Sequence, residues 1–179
     1  MNDIDINKLE FIGGIKIDLA FIISLFIGVF LSYFILYFHE FGHAIFAIIF
    51  TKQKVKIRLG GIFDKKPLKI GRLLIYINGF YPSYGVIYWN AKSLSKYKNA
   101  LISLGGPLFS LLLSLMIWYF LEYNTYQYIN QNMVKFLFVY SVWQFFITII
   151  PIKYPKFLGA YAGFNSDGLN VIKYLVNKS

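Results

Sequence analysis

The chain has 179 residues, of which 58% are hydrophobic, 21% aromatic and only 15% charged, where an ordinary soluble domain has about 25% charged residues. With a mean hydropathy of +0.56 this excludes a disordered tail and argues against a water-soluble globule, and residues 1–179 read as a single domain. Net charge is +10 and cysteine is absent, so disulfides, zinc fingers and thiol catalysis are excluded; the positive charge lies between apolar runs, where membrane topology accounts for it and, with no accompanying motif, nucleic acid does not.

The acidic start, Met1-Asn2-Asp3-Ile4-Asp5, does not read as a cleavable secretory signal. Leu19 to Phe50 is the first largely apolar run, 32 residues. As a helix it is about 48 Å long, more than the ~30 Å of a hydrocarbon core, so it must tilt, kink near Gly28 or project. Residues 51–99 then carry eleven Lys or Arg and one acid, Asp64. Within them Val55-Lys56-Ile57-Arg58-Leu59 alternates with period two, as a strand does. Leu73 to Ala91 is uncharged but contains Asn78-Gly79, Tyr81-Pro82-Ser83 and Gly85, turn signals that favour strand and hairpin over a short span. Ala100 to Leu121, 22 residues, predicts a second span; Gly105 and Gly106 permit close helix packing, and Pro107 suits a first helical turn. Phe136 to Ile152, 17 residues with Pro151 near its end, predicts a helix that stops or breaks inside the membrane. Residues 153–179 follow and contain Asp167-Gly168.

The expected fold class is an α-helical polytopic membrane protein. It has three core transmembrane helices, at about 19–50, 100–121 and 136–152, and a small interfacial β-sheet or hairpin between the first two. Unpaired backbone cannot face lipid, so the sheet must lie at the interface or against protein. The segment through Asp18 has two Lys against four acids, and the Glu122–Asn132 loop has one Glu and no base. The positive-inside rule therefore makes the 51–99 loop and the C-terminal tail cytoplasmic, with the N-terminus outside and the basic loop near lipid headgroups.

The chain has two histidines, and they stand four apart in His39-Glu40-Phe41-Gly42-His43. Residues i and i+4 share a helix face, so both imidazoles can reach one metal ion, with Glu40 placed to act as a base on water. Ionisable groups inside an apolar run are costly unless paired or metal-bound. Catalytic zinc usually takes three protein ligands. With no third His and no Cys, a carboxylate must complete the set. Asp3, Asp5, Glu10 and Asp18 precede the motif on the outer side. That leaves Asp64, among lysines in a turn, Glu122, at the outer end of the second span, and Asp167, in Asn165-Ser166-Asp167-Gly168. Asp167 is the preferred third ligand, with Asp64 kept open; Ser-Asp-Gly also reads as a turn or helix N-cap.

These residues resemble the site-2 protease family of intramembrane zinc metalloproteases. The likeness rests on His39-Glu40-Phe41-Gly42-His43 in the first span, Gly105-Gly106-Pro107-Leu108-Phe109-Ser110 in the second, and Pro151 followed by Asp167-Gly168 at the third. It spans roughly residues 19–176. It departs from the family's N-x-x-P-x-x-x-x-D-G pattern: Thr148 stands where Asn is usual, and sixteen residues separate Pro151 from Asp167, as if an insertion looped out and returned. The resemblance implies a Zn2+-dependent intramembrane endopeptidase with Glu40 as catalytic base and His39, His43 and Asp167 as metal ligands. Its expected partners are the bilayer and a membrane-protein or peptide substrate, such as a signal remnant or precursor peptide, and an edge strand in Ile70–Ile77 would hold an extended segment of it. A bacterial plasma membrane is the expected location. The alternatives are a non-catalytic metal-binding membrane partner (an immunity or transporter-accessory protein) and a zinc hydrolase of a non-peptide substrate. Nothing in the sequence sets an oligomeric state.

Overall fold

Long uninterrupted apolar runs become long helices: α1 at Leu19–Phe50, α2 at Lys96–Tyr123 and α3 at Gln131–Ile149. The computed structural model describes residues 8–10, 16–61, 66–79, 84–123 and 131–176. Three segments, Ile22–Phe50, Lys96–Tyr123 and Gln131–Ile149, are long and apolar enough to cross a membrane, consistent with a multi-pass membrane protein. Phe26, Phe30, Met116, Tyr119 and Val139 on these helices are each more than half exposed, a surface suited to hydrocarbon.

The helix limits differ from the expected ones for a physical reason. An uncharged run stops at Lys98 and Lys135, but a lysine near a helix end keeps its stem on apolar surface and its ammonium in water, so α2 and α3 begin earlier. Pro151 disfavours helical backbone at Ile150, and α3 ends at Ile149. Its 19 residues rise about 28 Å, so α3 is long enough to cross where the sequence reading has it stop short. Pro107 lies inside α2 rather than in its first turn, and removes the backbone donor that the Ser103 carbonyl would otherwise receive.

Between α1 and α2 lie β3 (Val55–Leu59), β4 (Leu68–Ile70), β5 (Leu73–Ile77) and β6 (Gly85–Tyr88), in the spatial order β4-β5-β3-β6. Strand β3 pairs parallel with β5 and antiparallel with β6. The hairpin is therefore β4–β5, turning at Gly71 with φ of +57°. Leu73 to Ala91 is not a hairpin, because its two strands flank β3 on opposite sides; its Tyr81-Pro82-Ser83 turn lies outside the described residues. The alternation read in β3 is present: Val55, Ile57 and Leu59 are buried, and with Leu73 and Ile75 they pack on Ala44, Ala47 and Ile102. This seats the sheet against the second half of α1. The Arg72 guanidinium donates to the Ile48 carbonyl (3.1 Å) and to that of Thr51, satisfying acceptors left over at the end of α1. A two-stranded ribbon, β1 (Lys8–Glu10) with β2 (Lys16–Asp18), precedes α1 and was not foreseen from the sequence.

After α3 the chain makes an excursion and returns. Lys153 bridges to Asn165, the Tyr154 N–H donates to the Phe164 carbonyl (2.8 Å), and the Ser166 N–H donates to that of Ile152 (2.9 Å). Helix α4 (Asp167–Val176) begins at this closed base.

Helices α1 and α2 touch through glycine. A Cβ on Gly42 would strike the Gly105 carbonyl, and one on Gly105 would come within 2.5 Å of the Gly42 carbonyl oxygen. Gly105→Val should cost about 1–3 kcal/mol, the usual penalty of overpacking, read as a lower thermal midpoint in detergent. An unchanged midpoint would show that the two helices do not meet there.

Candidate active site

Helical spacing puts His39 and His43 one turn apart on the inner face of α1, 4% and 3% exposed, with Glu40 beside them at 5%. Their Nε2 atoms are 3.3 Å apart. Asp167 Oδ2 lies 3.2 Å from His39 Nε2 and 3.4 Å from His43 Nε2. Among the described residues these three side chains form a group that could hold a metal ion.

The far ring nitrogens decide what the near ones present. His43 Nδ1 is 2.7 Å from the Ile102 carbonyl oxygen, which can only accept, so Nδ1 carries the hydrogen. The Gly106 N–H also comes within 3.1 Å of Nδ1, but a nitrogen that carries a hydrogen offers it no acceptor. His43 Nε2 therefore turns a lone pair, or an added proton, toward the site. His39 Nδ1 lies 2.8 Å from Ser110 Oγ, a hydroxyl that can accept from it or donate to it, so Ser110 orients the ring without fixing its tautomer. Burial would raise the Asp167 carboxyl, but the charge of a protonated His43 and hydrogen bonds from His39 and His43 outweigh it and hold the group well below the usual carboxylate range.

Two ring nitrogens and a carboxylate oxygen thus converge on one point, which protons or a metal cation can occupy. Tetrahedral zinc with ligands at about 2.0–2.1 Å separates those ligands by about 3.3–3.4 Å, close to the three distances here. The second helix leaves room for the ion. A Cβ on Gly106 would lie 2.5 Å from His39 Nε2 and overlap His43 Nε2, so a methyl there would fill the place of a metal. The donor set and this cradle fit a divalent ion; two imidazoles and a carboxylate suit zinc without excluding other divalent metals.

Asp167 reaches the histidines because Ser166 takes over the capping. Ser166 Oγ accepts from the Leu169 N–H (3.2 Å), closing the first turn of α4, accepts from the Ile152 N–H (3.1 Å), and donates to the Ile150 carbonyl (2.7 Å). The start of α4 is thereby tied to the end of α3, and the sixteen-residue separation from Pro151 does not displace Asp167. Of the other acids weighed, Asp64 lies outside the described residues. Glu122 is in the last turn of α2, twelve residues beyond Ser110, about 18 Å along the helix.

A cavity of about 380 Å3 opens on the group and is lined by His39, Glu40, His43, Asp167, strand β6 and the inner side of α3. Gly85 presses on Glu40: a Cβ there would lie 2.6 Å from Glu40 Cγ and Oε1. The Tyr161 hydroxyl accepts from the Gly85 N–H (2.8 Å) and donates to the Gly85 carbonyl (2.9 Å). Burial, and then the Glu40 carboxylate, push this hydroxyl well above its ordinary value, so it keeps its proton. The sequence reading missed Ser110, Gly85 and Tyr161 as contributors. Only Ser110 left a signal, standing one turn from Gly106 on the same helix face.

Comparison with protein-family models, with curated proteins and with solved structures finds no match. Gly106→Ala should remove bound metal while the protein still folds, as read by metal content per chain beside the thermal midpoint. Full metal occupancy in that variant would show that the ion does not lie in the Gly106 cradle.

Proposed function

We propose that the chain is a membrane-embedded zinc endopeptidase of the site-2 protease type, cutting peptide bonds in or near membrane-embedded segments of small membrane proteins or precursor peptides. The observation that carries this reading is the shared cavity. Glu40 lines it next to His39, His43 and Asp167, whose ligand atoms stand 3.2–3.4 Å apart. A purely structural metal site has no use for a buried carboxylate beside its ligands, which favours an enzyme over a non-catalytic metal-binding partner.

When bound at His39, His43 and Asp167, zinc supplies Lewis acidity to a carbonyl oxygen and makes water nucleophilic near neutral pH. Glu40 takes the proton of the attacking water on a carboxylate oxygen and delivers it to the departing amine nitrogen. Ser110 and the Ile102 carbonyl hold the two imidazoles in orientation throughout. A substrate helix must unwind, because its amides are otherwise consumed in its own hydrogen bonds.

The strand to receive the unwound segment is β6, not one in Ile70–Ile77. Within that stretch β5 is interior to the sheet, and β6 is the edge strand lining the cavity. The Gly60 N–H donates to the Tyr84 carbonyl (2.8 Å), so Tyr84, Val86 and Tyr88 bond toward β3, while Gly85 and Ile87 turn their amides to the open edge. Strand addition there requires the Tyr161 hydroxyl to leave Gly85. The proposed topology keeps the 51–99 segment cytoplasmic and the N-terminus outside, in a bacterial plasma membrane.

Glu40→Gln should keep its zinc but lose cleavage of membrane-segment peptides in proteoliposomes by about 10²–10⁴-fold. Wild-type activity in that variant would remove the mechanism. A zinc-loaded wild-type chain that cuts none of a broad peptide panel would favour the non-catalytic reading.

A further inference from the structure

The polar side chains of the three long helices are mostly spent on their own backbone. Ser32 donates to the Val29 carbonyl, Ser114 to Leu111, Ser141 to Phe138 and Thr148 to Gln144, each at 2.7–2.9 Å. Ser110 serves His39. Gln144 differs. It is 7% exposed, its Oε1 has no hydrogen-bond partner among the described residues, and it lines the cavity that holds His39, Glu40, His43 and Asp167. A carboxamide buried in an apolar helix with its oxygen unpartnered is costly.

We propose that Gln144 binds the backbone of the substrate, its carboxamide pairing with a peptide unit of the unwound segment. The inference rests on the endopeptidase reading and narrows it. A carboxamide carries the same donor and acceptor as a peptide group, so it complements an amide released from a helix. An extended peptide has two hydrogen-bonding edges; the open edge of β6 serves one, and Gln144 serves the other. No Lys or Arg lines the cavity among the described residues, whereas Leu36, Trp143, Ile147 and Leu158 do. The ligand that fits is therefore an uncharged, apolar peptide and not an anionic lipid headgroup. Thr148, one turn later, has its hydroxyl committed to the backbone carbonyls of Gln144 and Phe145.

The test uses the zinc-loaded full chain in detergent and two probes, acetohydroxamate, which offers only a zinc-binding group, and a blocked Leu-Leu hydroxamate, which adds a peptide backbone. Gln144→Met removes the amide at nearly constant volume. It should leave zinc content and acetohydroxamate affinity unchanged and weaken the Leu-Leu probe by about 10–100-fold. N-methylating the probe's amides should weaken it on the wild-type chain and have less effect on Gln144→Met, a coupling that a merely structural role would not produce. Equal affinity of wild type and Gln144→Met for the Leu-Leu probe overturns the proposal. So does an N-methyl series that changes nothing on the wild-type chain, a result independent of whether the variant folds. Failure of acetohydroxamate to bind at all identifies the zinc reading as what fell, and Gln144 loses its role with it.

Discussion

The hydrogen bond from His43 Nδ1 to the Ile102 carbonyl is the contact on which the rest depends. A carbonyl cannot donate, so this one bond fixes which ring nitrogen carries a hydrogen and leaves Nε2 facing inward. Ser110 orients His39, and the return of the chain through Ser166 brings up Asp167. Two ring nitrogens and a carboxylate oxygen within 3.4 Å of one another need a proton or a metal ion among them. Protons and metal therefore compete for one position, and loading the ion must release protons.

Everything around the group serves that convergence by close approach. Gly42 and Gly105 let two helices meet backbone to backbone, Gly106 leaves a recess against both imidazoles, and Gly85 brings β6 down onto Glu40. In hydrocarbon, apolar burial does not drive helices together as it does in water; small residues that allow close packing do. The small sheet, fastened to α1 through Ala44 and Ala47, carries an edge strand to the cavity that the histidines line. Glycines thus both pack the fold, at Gly42 and Gly105, and shape the site, at Gly106 and Gly85.

Much of this was legible in the sequence because the signals were strong and local. Long apolar runs become helices, period-two alternation in Val55–Leu59 becomes a strand with one buried face, and a four-residue histidine spacing becomes a shared helix face. Elimination among eight acids favoured Asp167 and left Asp64 open, since the chain offers few other ligands. The partners of the ring nitrogens were not legible: a backbone carbonyl such as that of Ile102 has no sequence signature, and Ser110 becomes a partner only once α2 is docked. Strand order was not legible either, because a parallel β3–β5 pairing depends on tertiary closure rather than on turn residues. Tyr161 and Gln144 gave no sign, as a tyrosine or a glutamine in such a chain acquires meaning only from what it faces.

The central claim is a single divalent ion held by two imidazoles and one carboxylate. X-ray absorption at the zinc edge, on protein loaded with one equivalent of zinc in detergent, tests it most directly. The account predicts a four-coordinate ion with two imidazole nitrogens and oxygen ligands at about 2.0–2.1 Å, and loss of one oxygen ligand or of the ion itself in Asp167→Ala. A spectrum without imidazole scattering, or one that Asp167→Ala leaves unchanged, would contradict it.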